Sequence, residues 1–568
     1  MQRREFIQSL AALAVMQAIP LAARAAGMPD WGIGFEGVDG DLAPIDLTLT
    51  GRIPSACVGT LYRNGPALYQ RGDQRYQHWF DPDGMVQAYR IAQDGIRHHG
   101  RFVRTRKFER ESEAGRFLFD GAGTPVDNAL PAGSNEDANV ANINVQPFNG
   151  ELLALWEAGS PYRIEPQTLA TRGRLVWNEA LDGVPFSAHP RVDEAGELWN
   201  IGSVVFTGQP LLVLYHAGRD GGLRKTRTHA LDFAGYMHDF VLTPRHVIAL
   251  NSSAVFHEGD TFVDSMRWEA QRPSQLLVFD RNDFSLLATL EVPPTFVFHF
   301  GNAWEDGDLL RFTACEYPDI DFLQVGMRRL ARQQAGSHGP GAELVTYTVS
   351  LADHSPSVDR LGLAMEFPGF DRRAPFAPQP LLGTGGPARH SGQLASAIVR
   401  VDPRSGASDI YDYGRGTIVE EPLFVPGPDG GYVMHSFLDA ARGGSGMAIL
   451  AAERLAQGPI AMARMKRVVP LGFHGCFLQS QRARAPRQFQ ARRLARCTHG
   501  VGVTSTEARR HQIWTGMHSH RPSDISGLPS TVYASWVAAS AAAADIKFQE
   551  HRYSRAVLPE CLCAHCPC

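Results

Sequence analysis

The chain of 568 residues reads as an all-β protein built from repeated hairpins, with a propeller as the architecture that best accommodates it. Three observations predict this. From about residue 40 to 475 few segments sustain a 3.6-residue apolar period. Short apolar runs are instead bounded by Gly, Pro, Asp and Asn, the punctuation of strands and turns. Finally, a loose theme recurs in which an apolar strand end meets an acid and a turn, at Ile164-Glu165-Pro166-Gln167, Phe279-Asp280-Arg281-Asn282 and Val401-Asp402-Pro403-Arg404. Repeated four-stranded units joined in this way suggest propeller blades. The repeat is too degenerate to count them, and a pair of sandwiches or a large barrel would carry similar punctuation.

In chain order, the first element is a targeting segment. Arg3-Arg4-Glu5-Phe6 precedes an apolar stretch from Leu10 to Leu21, and Ala23-Arg24-Ala25 fits a signal-peptidase site. The paired arginines resemble a twin-arginine signal, so residues 1–26 are expected to be a leader read by the Tat export machinery, with the mature protein periplasmic or exported. The body is assigned to residues 27–480. Its strands are read at Leu152 to Leu155, Leu211 to Tyr215, Val247 to Leu250, Leu276 to Phe279 and Ala397 to Val401. A composition of 44% hydrophobic residues allows a large core, and the net charge of −4 argues against a nucleic-acid surface. No apolar run is long enough to span a bilayer. Eight cysteines are too unevenly spaced for a disulfide framework, since four crowd the last eight residues.

Four histidines carry the chemistry: His189 in Phe-Ser-Ala-His-Pro, His238 in Tyr-Met-His-Asp-Phe, His299 in Phe-His-Phe-Gly-Asn, and His474 in Gly-Phe-His-Gly. They lie 49, 61 and 175 residues apart, so they can converge only if each ends an inner strand around a common axis. Strict strand alternation would aim His299 with Val297 and Gly301, and turn Phe296, Phe298 and Phe300 into packing. Phe80, Phe298, Phe300 and Trp304 are candidate neighbours of the site.

These surroundings resemble the carotenoid cleavage oxygenase family. The resemblance runs from roughly Gly51 to Phe477. It includes Gly59-Thr60-Leu61-Tyr62-Arg63-Asn64-Gly65-Pro66, the stretch His78-Trp79-Phe80-Asp81-Pro82-Asp83-Gly84-Met85 with Pro82 where the family usually has Gly, and Ala141-Asn142-Ile143-Asn144-Val145. The four histidine segments follow in order. The resemblance implies a seven-bladed β-propeller, with one Fe(2+) on its axis and a cap of loops and short helices over the top face. His189, His238, His299 and His474 would hold the iron. Glu157, Glu366 and Glu421 would support His238, His299 and His474 respectively, with Glu420 the rival of Glu421. Neutral imidazoles suit Fe(II), and ligating histidines need acceptors that fix their tautomer.

The implied reaction is dioxygenase cleavage of a conjugated double bond by O2, giving two carbonyl products. No organic-cofactor motif is present to suggest otherwise. An apolar polyene, a carotenoid or apocarotenoid, is the expected partner, with peripheral membrane contact for its uptake. The branch of the family that cleaves phenolic stilbenes generally has a lysine just before the first of these glutamates, and here that position is Trp156. A lignostilbene-type activity is the alternative. A calcium-bound propeller hydrolase or lactonase is a second, for which Asn142, Asn144 and Asn302 would supply oxygens. A propeller that only binds partners is a third. Residues 481–568 follow the family's usual end. They are expected to be a disordered or non-homologous tail, without a zinc site despite Cys561, Cys563, His565, Cys566 and Cys568.

Overall fold

The computed structural model describes residues 29–206, 208–336, 339–386 and 394–480. The proposed leader and tail lie outside the described residues.

Seven antiparallel blades follow one another along the chain. The first contains, in spatial order, Leu42–Asp46, Ile96–Phe102, Asp83–Ile91, Gly59–Leu68 and the far C-terminal strand Gly475–Gln479. Three four-stranded blades come next. Their innermost strands are Asn144–Phe148, Arg191–Val192 and Phe240–Leu242. The fifth and sixth share one seven-stranded sheet running from Phe296–Asp306 to Ser408–Asp412, because the long strand Ser355–Gly369 serves both. The seventh is built on Thr417–Val419, Tyr432–Asp439, Gly444–Ala451 and Pro459–Met465, and takes the early strand Thr48–Gly51 as its outer member. The ring is therefore closed twice. Gly475–Gln479 pairs with Gly59–Leu68, and Thr48–Gly51 with Pro459–Met465. The inner edge strands face the axis, whereas outer edge strands such as Leu42–Asp46 and Leu223–Ala230 stay largely at the surface.

The acid-turn theme has a common physical basis. Asp280 Oδ1 accepts from the Asn282 N–H at 2.6 Å, and Asp402 Oδ1 from the Arg404 N–H at 2.9 Å. Glu165 reaches Gln167 and Thr168 in the same manner. In each case a carboxylate replaces a missing backbone partner in a tight turn. The three turns join the outer hairpins of blades two, four and six. The cap includes the two-turn segment Asp30–Phe35 and the helical run Phe322–Gly326 and Met327–Ala331. His78 ties it to the propeller: its Nε2 lies 2.9 Å from the Leu323 carbonyl, and its Nδ1 accepts from the Phe80 N–H. Among the described residues no helix is long and apolar enough to cross a membrane.

Candidate metal centre

Three of the four histidines precede innermost strands rather than end them. His189 stands two residues before Arg191–Val192, His238 two before Phe240–Leu242, and His474 immediately before Gly475–Gln479. His299 lies inside Phe296–Asp306. All four are buried. Ring centroids are 4.6 Å apart for His189 and His238, 5.0 Å for His189 and His299, 4.6 Å for His189 and His474, and 4.7 Å for His299 and His474. One nitrogen each from His189, His299 and His474 fall within 4.8 Å of one another. His238 joins them through its Nε2, 2.9 Å from that of His189.

Each of three rings is held from behind by a carboxylate. His238 Nδ1 lies 2.6 Å from Glu157, His299 Nδ1 2.5 Å from Glu366, and His474 Nδ1 2.9 Å from Glu421. A proton on each Nδ1 leaves the Nε2 lone pair facing the axis. His299 Nε2 is buried with no hydrogen-bond partner, a costly position unless a cation meets it. Two imidazole nitrogens bound at about 2.1 Å and at right angles would lie about 3.0 Å apart, close to the His189–His238 separation. The donor set thus fits a metal that prefers nitrogen ligands.

The electrostatics depend on burial and on the glutamates. Burial, reinforced by the neighbouring imidazoles, pushes His189 well below the usual histidine range. Burial lowers His474 to about 4 despite Glu421. For His299 burial acts downward, but Glu366 outweighs it and the net shift is upward. Burial raises Glu421, yet His474, Arg63 and Arg372 together bring it down to about 2.

Several residues were not singled out from sequence. Tyr236 donates to Glu157 and lies 2.9 Å from His238 Nδ1, which fixes that carboxylate in line. Arg63, fully buried, donates to Glu421 at 3.0 Å and to the Phe473 carbonyl at 2.8 Å. Arg191 bridges Asp239 at 2.6 Å and the Phe300 carbonyl at 3.0 Å, while Asp239 also accepts from the Phe300 N–H. One ion pair therefore binds three histidine segments together. The available signal was a charge set inside an otherwise apolar motif, as with Arg63 after Tyr62 and Asp239 before Phe240. Glu420 also turns inward. It accepts from the Gly472 N–H at 2.6 Å and from Ser436, so Glu420 and Glu421 hold the backbone and the ring of one histidine segment.

Strict alternation fails along Phe296–Asp306. The pairing register shifts between Val297 and Phe300 and again between Phe300 and Ala303. These bulges re-aim side chains. Phe298 consequently faces a large cavity and its ring lies 5.2 Å from that of His238, rather than packing away from the site. Phe80 lines the same cavity, Phe300 lines a smaller one, and Trp304 lines neither. Phe367, with φ of 56°, is held in the left-handed region and stacks 5.3 Å from His299. Strained backbone of this kind concentrates at functional sites. Asn142, Asn144 and Asn302, the oxygen donors of the calcium reading, donate their side-chain N–H groups to different backbone carbonyls, those of Phe80 and Pro82, of Ala188, and of Pro375. Among the described residues no carboxylate-based cluster of metal-binding spacing occurs.

The large cavity, about 930 Å³, opens onto His238, His299 and His474. Trp79, Phe80, Phe298, Tyr317, Phe367 and Phe473 lie around that end, and the cap supplies Trp31, Phe322 and Met327.

A family model described as retinal pigment epithelial membrane protein (RPE65) matches residues 37–479. Apocarotenoid-15,15'-oxygenase of Synechocystis sp. is 29% identical over 468 residues, covering 76% of this chain and 92% of that protein. Isoeugenol monooxygenase of Pseudomonas nitroreducens is 27% identical over 469 residues, covering 78% and 95% respectively. The cobalt-substituted crystal structure of the Synechocystis apocarotenoid oxygenase superposes with a TM-score of 0.72 at 26% identity, over 79% of this chain and 98% of that one. The chain is an oxygen-incorporating oxidoreductase and belongs to the RPE65 or carotenoid cleavage oxygenase family.

Proposed function

We propose that the protein is a non-haem iron dioxygenase that cleaves a conjugated carbon–carbon double bond of a carotenoid or apocarotenoid into two carbonyl products. The observation that carries this reading is the large apolar cavity ending on the histidines. Its volume is at the upper end of the usual ligand range of about 300–1,000 Å³, which suits a long polyene better than a single aromatic ring. Trp156, in place of a lysine, supplies no phenolate partner.

Iron bound by His189, His238, His299 and His474 would supply the activation of O2. Glu157, Glu366 and Glu421 keep protons on the far nitrogens, so that the rings present lone pairs at fixed angles. The aromatic lining excludes water and holds the alkene against the cluster. Glu420 lines the cavity, but both its oxygens are occupied, and it offers no free base.

The test is turnover by the purified iron-loaded protein under ¹⁸O₂, with a polyene panel beside isoeugenol and stilbenes. The expected result is cleavage of a polyene into two labelled carbonyl products without added reductant. Turnover of the phenolic panel alone would instead establish the lignostilbene-type reading. An uncleaved oxygenated product, or a reductant consumed in every turnover, would overturn both. Replacing any one of the four histidines by Ala is expected to remove activity and most bound iron. Full iron in two such variants would refute the ligand set.

We further propose that residues 1–26 direct export, and N-terminal sequencing of the periplasmic protein checks this. Bilayer contact for substrate uptake would fall on the cap, where Val325 is 49% exposed beside the cavity-lining Phe322.

A further inference from the structure

The histidines separate two chambers of opposite character. His299 and His474 border both the apolar cavity and a second one of about 80 Å³. Along the strand that carries His299, Phe298 before it lines the first chamber and Phe300 and Gly301 after it line the second. Phe298 and Phe473 face the apolar side, whereas Arg191, Asp239, Phe300 and Gly301 face the small one. The two chambers therefore share His299, Phe367 and His474 as a common wall and otherwise have different linings.

The side-chain acceptors that line the small chamber are already engaged. Asp239 is saturated by Arg191 and the N–H groups of Phe240 and Phe300. Glu421 is saturated by His474, Gly475 and Arg63. The Asn144 oxygen accepts from Val145 and its amide donates to Ala188. Arg372 remains. Its hydrogen bond is a long one, 3.4 Å to Gln146 Oε1. Arg372 is exposed as a residue, burial of its guanidinium lowers its pKa, and Glu421 and Asp239 oppose that shift while Arg191 adds to it. A chamber with an underused guanidinium, next to a site built for a cation, is complementary to negative charge. At about 30 Å³ per water it holds two or three waters, or one planar oxyanion.

We propose that this chamber is a binding site for a small anion of formate or bicarbonate size, held by Arg372 beside the metal position and filled independently of the apolar chamber. The proposal rests on the reading of the four histidines as metal ligands.

The test uses full-length protein loaded with cobalt, titrated with formate and followed by calorimetry and by the visible cobalt spectrum. Formate is expected to bind and to perturb that spectrum, with a Kd that changes less than twofold when the apolar chamber is saturated with a polyene. Arg372→Ala is expected to weaken binding at least tenfold while cobalt content is retained, and Arg372→Lys to restore part of the loss. Formate binding that ignores both substitutions, or that competes with the polyene, would overturn the anion site. Failure to retain cobalt in the unaltered protein would show separately, in metal analysis, and would overturn the metal reading and this inference with it.

Discussion

At the scale of single residues, Glu421 is the most heavily committed of the three glutamates. It orients His474, accepts from Gly475 and neutralises the buried Arg63. Glu421→Gln is therefore expected to lower metal affinity by about 10–100-fold. It should also destabilise the fold by about 3–5 kcal/mol, because Arg63 is left as an uncompensated buried charge. Glu157→Gln should share the first effect and largely escape the second, since Tyr236 is neutral. Metal analysis with denaturant midpoints of the three proteins checks both, and Glu421→Gln matching the unaltered protein in both would contradict the assignment. Acid sensitivity follows from histidines away from the centre. Burial holds His78 and His98 near 3 and His435 near 4, against 6.5 when unfolded. Below about pH 6.5 the unfolded chain binds the extra protons, so stability falls as the pH drops toward 4. Asp81, raised by burial to about 6, opposes this because its folded form binds a proton first. Three groups outweigh one, and the metal-free protein should melt at a lower temperature at pH 4.5 than at pH 7. Calorimetric scans at the two values decide it. The pairing of each glutamate with its histidine was implied by the family resemblance. The partners Tyr236, Arg63 and Arg191 were not, because their contacts join positions far apart in the chain.

At the scale of elements, the segment carrying His474 is fixed by close backbone approach. A Cβ at Gly65 would lie 2.3 Å from the Gly472 Cα. The strand Gly59–Leu68 and the Gly472-Phe473-His474 segment can touch there only because both positions are glycine. Gly65→Ala should push the segment away, costing about 1–3 kcal/mol and weakening metal binding along with it. Urea unfolding and metal content measured together test this, and an unchanged metal content would show that His474 is held by Glu421 alone. The strands themselves were readable from sequence. Their apolar runs match Glu151–Leu155, Leu211–Ala217, His246–Asn251, Ser274–Asp280 and Ala397–Val401. The aim of side chains along Phe296–Asp306 was not, because the bulges come from register against Leu309–Tyr317, a property of two strands rather than one.

At the scale of the whole molecule, ring closure makes the last strand decisive. Gly475–Gln479 completes the first blade and begins directly after His474. A chain ending at Ser480 is expected to fold and to bind metal as the full chain does, in keeping with a family match that ends at residue 479. A chain ending at His474 lacks the closing strand and should fail to melt cooperatively. Soluble yield, metal content and thermal melts of the two truncations test the pair. Loss of metal from the longer one would move the boundary of the fold beyond residue 480.

Sequence alone determined the all-β class and the order of the four histidine motifs, which are written in local patterns of polarity, turn chemistry and motif; the glutamates that serve them came with the family resemblance those motifs carry. Tertiary structure alone decided that the histidines converge on one axis, that Glu420 and Glu421 both turn inward, and that an apolar and a polar chamber meet at the cluster. The physical reason is distance along the chain. His189 and His474 become neighbours only through the curvature of seven blades and the closure between Gly59–Leu68 and Gly475–Gln479.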